Sequence, residues 1–459
     1  MNKMVVIWMI LAAVLAVRSF SKPSYAVSFY MLTFFAHPVF WWWGDMIRGY
    51  RWNLYAGVLL LFSLFMTRAD DAFTRDNPLR TNTARILGFL VLNIIVVHVL
   101  FAANPDSSIG WIILRLKFVL LFFLLQYAIR DERDYRIVTW AIVLGMGYIG
   151  YEATIQGRGH FSGGRLEGIG AAGVDSSNQL ASLLVTALPL GTTLLFTAIP
   201  KWQKAAVVVL CACAFNVVLL CNSRGSFLGA LLAGVVFMAM ASGPARKRSL
   251  RLAALALVGT LALLRDPEII NRFMTTFNEE AERDNSAESR LLFWGAGLRM
   301  LANYPFGSGG NSFSTARGWR FMPGGTAGAE RVGDTRALHN GYVTEATDYG
   351  VQGFTLTMLF IGSIWVTALR GRRAALKAGD ANAVMIYALF AAAVTAWMVS
   401  SMFGDYLDEE WSFWTAAMAH SYLRLQLFAS AQQPTVTTVV EEDRPLIPLQ
   451  PAVGRTAAR

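Results

Sequence analysis

His339 stands in Leu338-His339-Asn340-Gly341-Tyr342, directly before an apolar helical stretch. Imidazole ordinarily titrates near neutrality, so it can take a proton from a hydroxyl at physiological pH. Arg224 stands in Asn222-Ser223-Arg224-Gly225-Ser226, a short turn between two apolar segments. Arginine grips phosphate through a planar, two-pronged head whose charge does not titrate. Ser223 is placed to cap the helix that follows, and unpaired amides with the helix dipole would make that end an anion site. The competing reading is an interfacial arginine whose stem snorkels towards lipid phosphates. Arg290 belongs to a third segment. Ser286 to Ser289 supply capping residues, and Leu291, Leu292, Trp294, Leu298 and Leu301 then recur at helical spacing. That spacing predicts an amphipathic helix on or near a membrane, carrying Arg290 and Arg299. It ends in Tyr304-Pro305-Phe306-Gly307-Ser308-Gly309-Gly310-Asn311. Proline stops the helix there, and the glycines allow tight turns whose amides would face a ligand.

Other candidates are plainer. Arg48, Arg51, Arg158 and Arg165 occupy short connectors. His37, His98 and His420 fall within apolar blocks and read as structural, while His160 lies in a glycine-rich loop and reads as solvated. Cys211, Cys213 and Cys221 sit in or at the edge of one apolar segment and read as buried free thiols. No His/Cys cluster exists. The acidic patch Asp405, Asp408, Glu409 and Glu410 reads as a solvated loop in preference to a divalent-cation site. No metal and no cofactor are therefore expected. The run Trp41–Trp43 reads as an interfacial anchor.

The elements that must position these residues are membrane helices. The chain has 459 residues, of which 55% are hydrophobic and only 15% charged, against roughly 25% charged in soluble domains. Thirteen apolar blocks approach the length of about 20 residues that spans a bilayer: 4–19, 25–43, 52–67, 84–103, 111–129, 136–151, 178–199, 203–221, 226–241, 249–264, 350–369, 383–402 and 411–429. Several are short, so about twelve true spans are expected. No small-residue cleavage site follows the first block, which should therefore be retained. The formal net charge is +10, and its distribution is topological. Arg130, Arg133 and Arg136 share one connector, Arg246, Lys247, Arg248 and Arg251 another, and Arg370, Arg372, Arg373 and Lys377 a third. The positive-inside rule makes these cytoplasmic, with no nucleic-acid partner needed. The connectors 44–51, 104–110, 152–177, 222–225, 265–349 and 403–410 then lie outside. An N-terminal transmembrane bundle, 1–264, is thus followed by a large outer loop, 265–349, C-terminal helices, 350–429, and a cytoplasmic tail, 430–459. The N-terminus is outside for thirteen crossings and inside for twelve.

Three stretches in this order carry a family resemblance: Asn222–Ser226, then Ser289-Arg290-Leu291-Leu292-Phe293-Trp294 leading to Tyr304–Gly309, then Leu338–Tyr342 with Glu345 to Gly350 behind it. Over about residues 175–430 the chain resembles the bacterial O-antigen ligase and polymerase family of polytopic membrane proteins. The first 170 residues match only in hydropathy. The outer-loop histidine, here His339, is the ligase-like feature. The resemblance implies an all-α, GT-C-like architecture in the bacterial inner membrane, with the active site facing the periplasm. It also implies metal-independent, inverting transfer of an undecaprenyl-diphosphate-linked glycan onto lipid A–core. His339 would be the base, with Arg224 and Arg290 on the diphosphate. Arg48, Arg51, Arg158, Asn340 and Tyr342 are further candidates around the same pocket. Two enzyme alternatives use the same donor: an O-antigen polymerase and a protein-directed oligosaccharyltransferase. A lipid-glycan transporter is the alternative from another class, although an 85-residue outer loop and few charges within the spans suit it poorly.

Overall fold

The computed structural model describes residues 3–67, 77–174, 176–243, 246–247, 280–323 and 337–432, with the backbone alone at 280–289 and 428–432. The block 249–264 and residues 433–459 of the tail lie outside the described residues, as do Arg265, Arg272, Arg331 and Arg336. The described chain is helical apart from one hairpin. In order the helices are α1 (Lys3–Ser19), α2 (Pro23–Phe35), α3 (Trp52–Met66), α4 (Asn82–Phe101), α5 (Pro105–Ala128), α6 (Glu132–Thr154) and α7 (Ser177–Thr192). They continue as α8 (Lys201–Leu220), α9 (Arg224–Met240), α10 (Glu280–Asn303), α11 (Gly341–Lys377), α12 (Ala381–Ser400) and α13 (Glu410–Gln432). Strands β1 (His160–Ser162) and β2 (Arg165–Glu167) pair antiparallel between α6 and α7.

Among the described residues, seven helices are long and apolar enough to cross a membrane by length and composition: α4, α5, α6, α7 with its extension to Phe196, α8, α11 and α12. Helices α3 and α9 are apolar but shorter. The chain is a mostly helical, multi-pass membrane protein. The apolar block 25–43 shows where counting blocks overshoots. Helix α2 ends at Phe35, and a 3-10 turn follows at Pro38–Phe40. Proline disfavours helical backbone at the residue before it and cannot donate to the turn behind it. The tryptophan run after that turn is a packing device rather than the expected belt. Trp41 and Trp43 are buried, donating to the Phe35 carbonyl and the Tyr148 hydroxyl, and only Trp42 is exposed.

Helix α12 is the centre of the bundle, buried along most of its length and packed by α7, α9 and α11. Its alanines, Ala391–Ala393 among them, let neighbours approach closely, as small residues do between membrane helices. The basic connectors gather at one end. Arg372 donates to the Met240 carbonyl, Arg424 to those of Gln126 and Ile129, and Arg130 to that of Thr67. Since α9 runs from Arg224 to Met240 beside α11 and α12, Arg224 and the start of α11 lie at the opposite end. Helix α11 is broken once, at Gly350, whose φ of 78° and ψ of 176° are non-helical. The limit between large loop and following helices, drawn at 349/350, thus falls on a kink within one element. His37, His98 and His420 have structural partners: the Val39 amide, Ser108, and Thr83 with Thr367. His160 is exposed on β1, and the three cysteines are free thiols.

Candidate active site

The connector 401–409, between α12 and α13, joins the separate motifs. The Gly341 amide donates to the carbonyls of Ser401 and Gly404, at 2.8 and 2.9 Å. A Cβ on Gly341 would lie 2.8 Å from Leu407 Cβ, so only glycine fits this approach. On the other side, a Cβ on Gly225 would lie 2.6 Å from Phe403 Cβ. The glycines beside Arg224 and His339 are therefore docking points onto one connector.

Each neighbour of His339 in its motif has a packing task. Leu338 is buried with Ala296, Met300 and Phe313, and its carbonyl accepts from Trp294 Nε1 at 3.0 Å. Asn340 caps α11, its side chain accepting from the amides of Tyr342 and Val343. The Tyr342 hydroxyl donates to the Met398 carbonyl at 2.9 Å. Asn340 and Tyr342 thus hold the helix start. His339 itself is exposed and sits at φ 52°. A left-handed conformation costs a residue with a Cβ about 1–2 kcal/mol, and such strain is found where function retains it. Asp405 sustains the turn: its carboxylate accepts from the amides of His339 (3.3 Å) and Asn340 (3.1 Å) and from the Thr344 hydroxyl (2.5 Å). Burial pushes the Asp405 carboxyl above the usual carboxylate range, opposed by the Thr344 hydroxyl and by the positive charge His339 can carry. Asp405 thus holds the His339 turn by its backbone and places a carboxyl within electrostatic reach of the imidazole.

Arg224 begins α9 and is exposed. Ser223 occupies the N-cap position as expected but does not cap; its hydroxyl accepts from that of Ser226 at 3.1 Å. Arg290, on α10, is half-buried. Burial lowers its proton affinity, Tyr406 opposes this, and the positive charges of Arg165 and Arg224 lower it further. Burial and the negative charges of Asp405 and Glu409 push the Tyr406 phenol up, while Arg290 and Arg165 pull it down. Arg165 and Arg224 therefore each lie within electrostatic reach of Arg290, and Tyr406 within reach of Arg290, Arg165 and Asp405. Among the described residues none of the three arginines makes an ion pair or a side-chain hydrogen bond. Other candidates have partners. Arg158 pairs with Glu152 at 2.7 Å and stacks over Trp42 at 4.0 Å, and Arg48 pairs with Asp45 at 3.2 Å. Arg51 is exposed at the start of α3. No hydrogen bond or ion pair among the described residues joins Arg48, Arg51 or Arg158 to Arg224 or Arg290.

Helix α10 buries Ala296 and Met300 against Leu338 and Phe313 and leaves Leu291, Leu292 and Leu298 exposed. An outward leucine face on a helix beside the bundle suits the membrane surface. Arg299 donates twice to the Phe321 carbonyl. The glycine turn after α10 differs from expectation: its amides are not free for a ligand. Those of Ser308 and Gly309 donate to the Asp348 carbonyl, and those of Asn311 and Ser312 to its carboxylate at 2.7 and 3.1 Å. The Gly310 amide donates to Ser108 Oγ. The turn does bind an acid, but the acid is the Asp348 side chain of α11.

The acidic patch is likewise neither solvated nor clustered. Asp408 pairs with Arg115 at 2.7 Å, Glu409 accepts from Gln179 at 2.6 Å, and Glu410 is buried and accepts from Trp414 at 3.0 Å. The four acids serve different elements, and no group of three metal-ligating side chains occurs among the described residues. Arg115, within α5, is 3% exposed and pairs with both Glu345 (2.8 Å) and Asp408. An arginine in an apolar span was the available sign of such a site.

A multi-pass helical membrane protein with an exposed histidine, and with arginines unpaired among the described residues at one end of the bundle, defines the class. Residues 206–358 match the family model described as O-Antigen ligase, so this part of the chain is similar to the O-antigen ligase family, which supports a role in membrane glycosyl transfer. The matched segment contains Arg224, Arg290 and His339; Arg115, Arg165 and Asp405 lie outside it. No curated protein matches the chain.

Proposed function

We propose that this protein is an O-antigen ligase of the bacterial inner membrane, with about twelve spans and its site facing the periplasm. It transfers a glycan from undecaprenyl diphosphate to a hydroxyl of lipid A–core, with membrane lipids as its surroundings. His339 takes the proton of the acceptor hydroxyl as that oxygen attacks the anomeric carbon from the face opposite the diphosphate. The bond between anomeric carbon and diphosphate oxygen breaks, the configuration inverts, and the lipid diphosphate leaves with the electron pair. Arg224 and Arg290 neutralise the charge that gathers on it, which is the role fixed cations play best in a transition state. Asp405 holds the His339 turn and stabilises the imidazolium. The observation that carries this reading is that the turn of an exposed, backbone-strained histidine and the turn of Arg224 dock on one connector, 401–409, with Arg290 in electrostatic reach of its Tyr406 and neither arginine paired among the described residues.

Purified protein, lipid-linked donor and separately purified lipid A–core test it. Glycan should appear on the core, with and without a chelator. Longer donor chains with unmodified core would identify a polymerase instead. Glycan on serine or threonine of a protein would identify a protein-directed transferase, and donor movement without transfer a transporter. Loss of transfer on chelation would overturn the metal-independent mechanism. Arg224→Lys keeps the charge but loses the planar fork, so turnover should fall on the order of 10²-fold. Unchanged turnover in that variant would make Arg224 an interfacial anchor.

A further inference from the structure

The hairpin between α6 and α7 brings a third arginine to this site. Strand alternation turns Leu166 inwards, where it is 3% exposed, and leaves Arg165 outwards. Strand β2 packs against α7 and α8, and α8 ends at the Cys221–Asn222 turn that carries Arg224. The hairpin is fastened from two directions. Glu167 accepts from Ser177 Oγ at 2.8 Å, and Gln179, two residues further along α7, donates to Glu409 of the 401–409 connector at 2.6 Å. The element that carries Arg165 is thus tied to the connector on which Arg224 and His339 dock. Glu167, the nearest acid on the strand, is engaged by Ser177, and Arg165 has no ion pair or side-chain hydrogen bond among the described residues. Arg165 and Arg224 each repel Arg290, none of the three is paired among the described residues, and the arrangement persists at least cost when an anion with more than one charge sits among them.

Two arginines match a monophosphate ester. A third, on a separate element across the group, matches the second phosphate of a diphosphate. We propose that Arg165 is a further ligand of the anion site and sets its preference for a lipid diphosphate over a lipid monophosphate. This rests on the anion site proposed for Arg224 and Arg290. It has a consequence for turnover: after transfer the leaving group is still a diphosphate, so Arg165 grips the departing lipid as well as the donor.

The test uses the full-length protein in nanodiscs and three lipids with the same tail: undecaprenyl diphosphate, undecaprenyl monophosphate and uncharged undecaprenol. The wild type should bind the diphosphate about tenfold more tightly than the monophosphate, the size of one charge-assisted contact at an exposed site. Arg165→Ala and Arg165→Gln should each remove that preference and leave monophosphate affinity within about twofold, whereas Arg224→Ala should weaken both. Arg165 is exposed, so neither variant should move the melting temperature. If Arg165→Ala and Arg165→Gln keep the wild-type preference while Arg224→Ala weakens binding, Arg165 is not a ligand and the anion site stands without it. If the wild type does not distinguish either phosphate from undecaprenol, the anion site itself falls, and this role with it.

Discussion

His339→Gly is expected to abolish glycan transfer while leaving the protein about as stable as the wild type. The two halves of this result have different causes. His339 sits at φ 52°, which glycine adopts without a steric penalty. Relief of about 1–2 kcal/mol of strain is partly offset by the greater freedom of glycine in the unfolded chain, about 0.4–1 kcal/mol. The amides of His339 and Asn340 still bond Asp405 after the substitution, because those contacts are made by backbone. The start of α11 should therefore stay in place. Loss of a positioned base costs about 10²–10⁴-fold in rate. Donor binding should change little, since Arg224 and Arg290 lie on α9 and α10. Single-turnover transfer, donor affinity and thermal unfolding, measured on one preparation, separate these effects. Transfer within a few-fold of wild type in a stably folded His339→Gly would exclude His339 as the base. His339→Ala should be as inactive but less stable than His339→Gly, because alanine keeps the strained φ.

The sequence made the helices legible because a membrane helix writes its length and polarity into a contiguous run. It was least legible where a partner comes from a distant element. Asp348 is an acid within an apolar helix, and nothing near it announces that the amides of Asn311 and Ser312 will claim its carboxylate. Those same amides looked open to a ligand when the glycine turn was read by itself. Arg158 looked like a free outer cation, yet Glu152 and Trp42 hold it. The motif residues Arg224, Arg290 and His339 were visible by type, whereas Asp405 looked like one member of an acidic patch. Its meeting with the turn at His339 depends on how α12 ends against the start of α11, which neither segment's own pattern encodes. The placement of Arg165 was hidden for a related reason: an eight-residue hairpin in a glycine-rich connector has too little pattern to reveal which way its strands face.

Arg115→Met is expected to be the most destabilising single substitution at this end of the bundle. Arg115 pairs with Glu345 and Asp408 and lies 5.3 Å from the centre of the Tyr349 ring, all inside the protein. Removing it strands two carboxylates, one of them 2% exposed. Breaking a buried ion pair from one side costs about 3–5 kcal/mol, a large fraction of a typical total of about 5–15 kcal/mol. The loss should reach the site as well. Glu345 is on the same short helix as the His339 turn, Asp408 is three residues beyond Asp405, and Thr357 secures Glu345 from beyond the Gly350 kink. Arg115 therefore holds the two sides of the proposed base in register without touching substrate. The comparison that separates charge from shape is the triple variant Arg115→Met, Glu345→Gln and Asp408→Asn. Stranded carboxylates are then absent, so much of the lost unfolding free energy should return, while transfer stays impaired because the α5–α11–connector tie is gone. Unfolding of the detergent-solubilised protein, followed by tryptophan fluorescence, reads the first effect. The donor–acceptor assay reads the second. A single Arg115→Met variant that melts with the wild type would mean that the ion pairs of Arg115 with Glu345 and Asp408 do not hold this end of the bundle, and they would then have no part in holding the site.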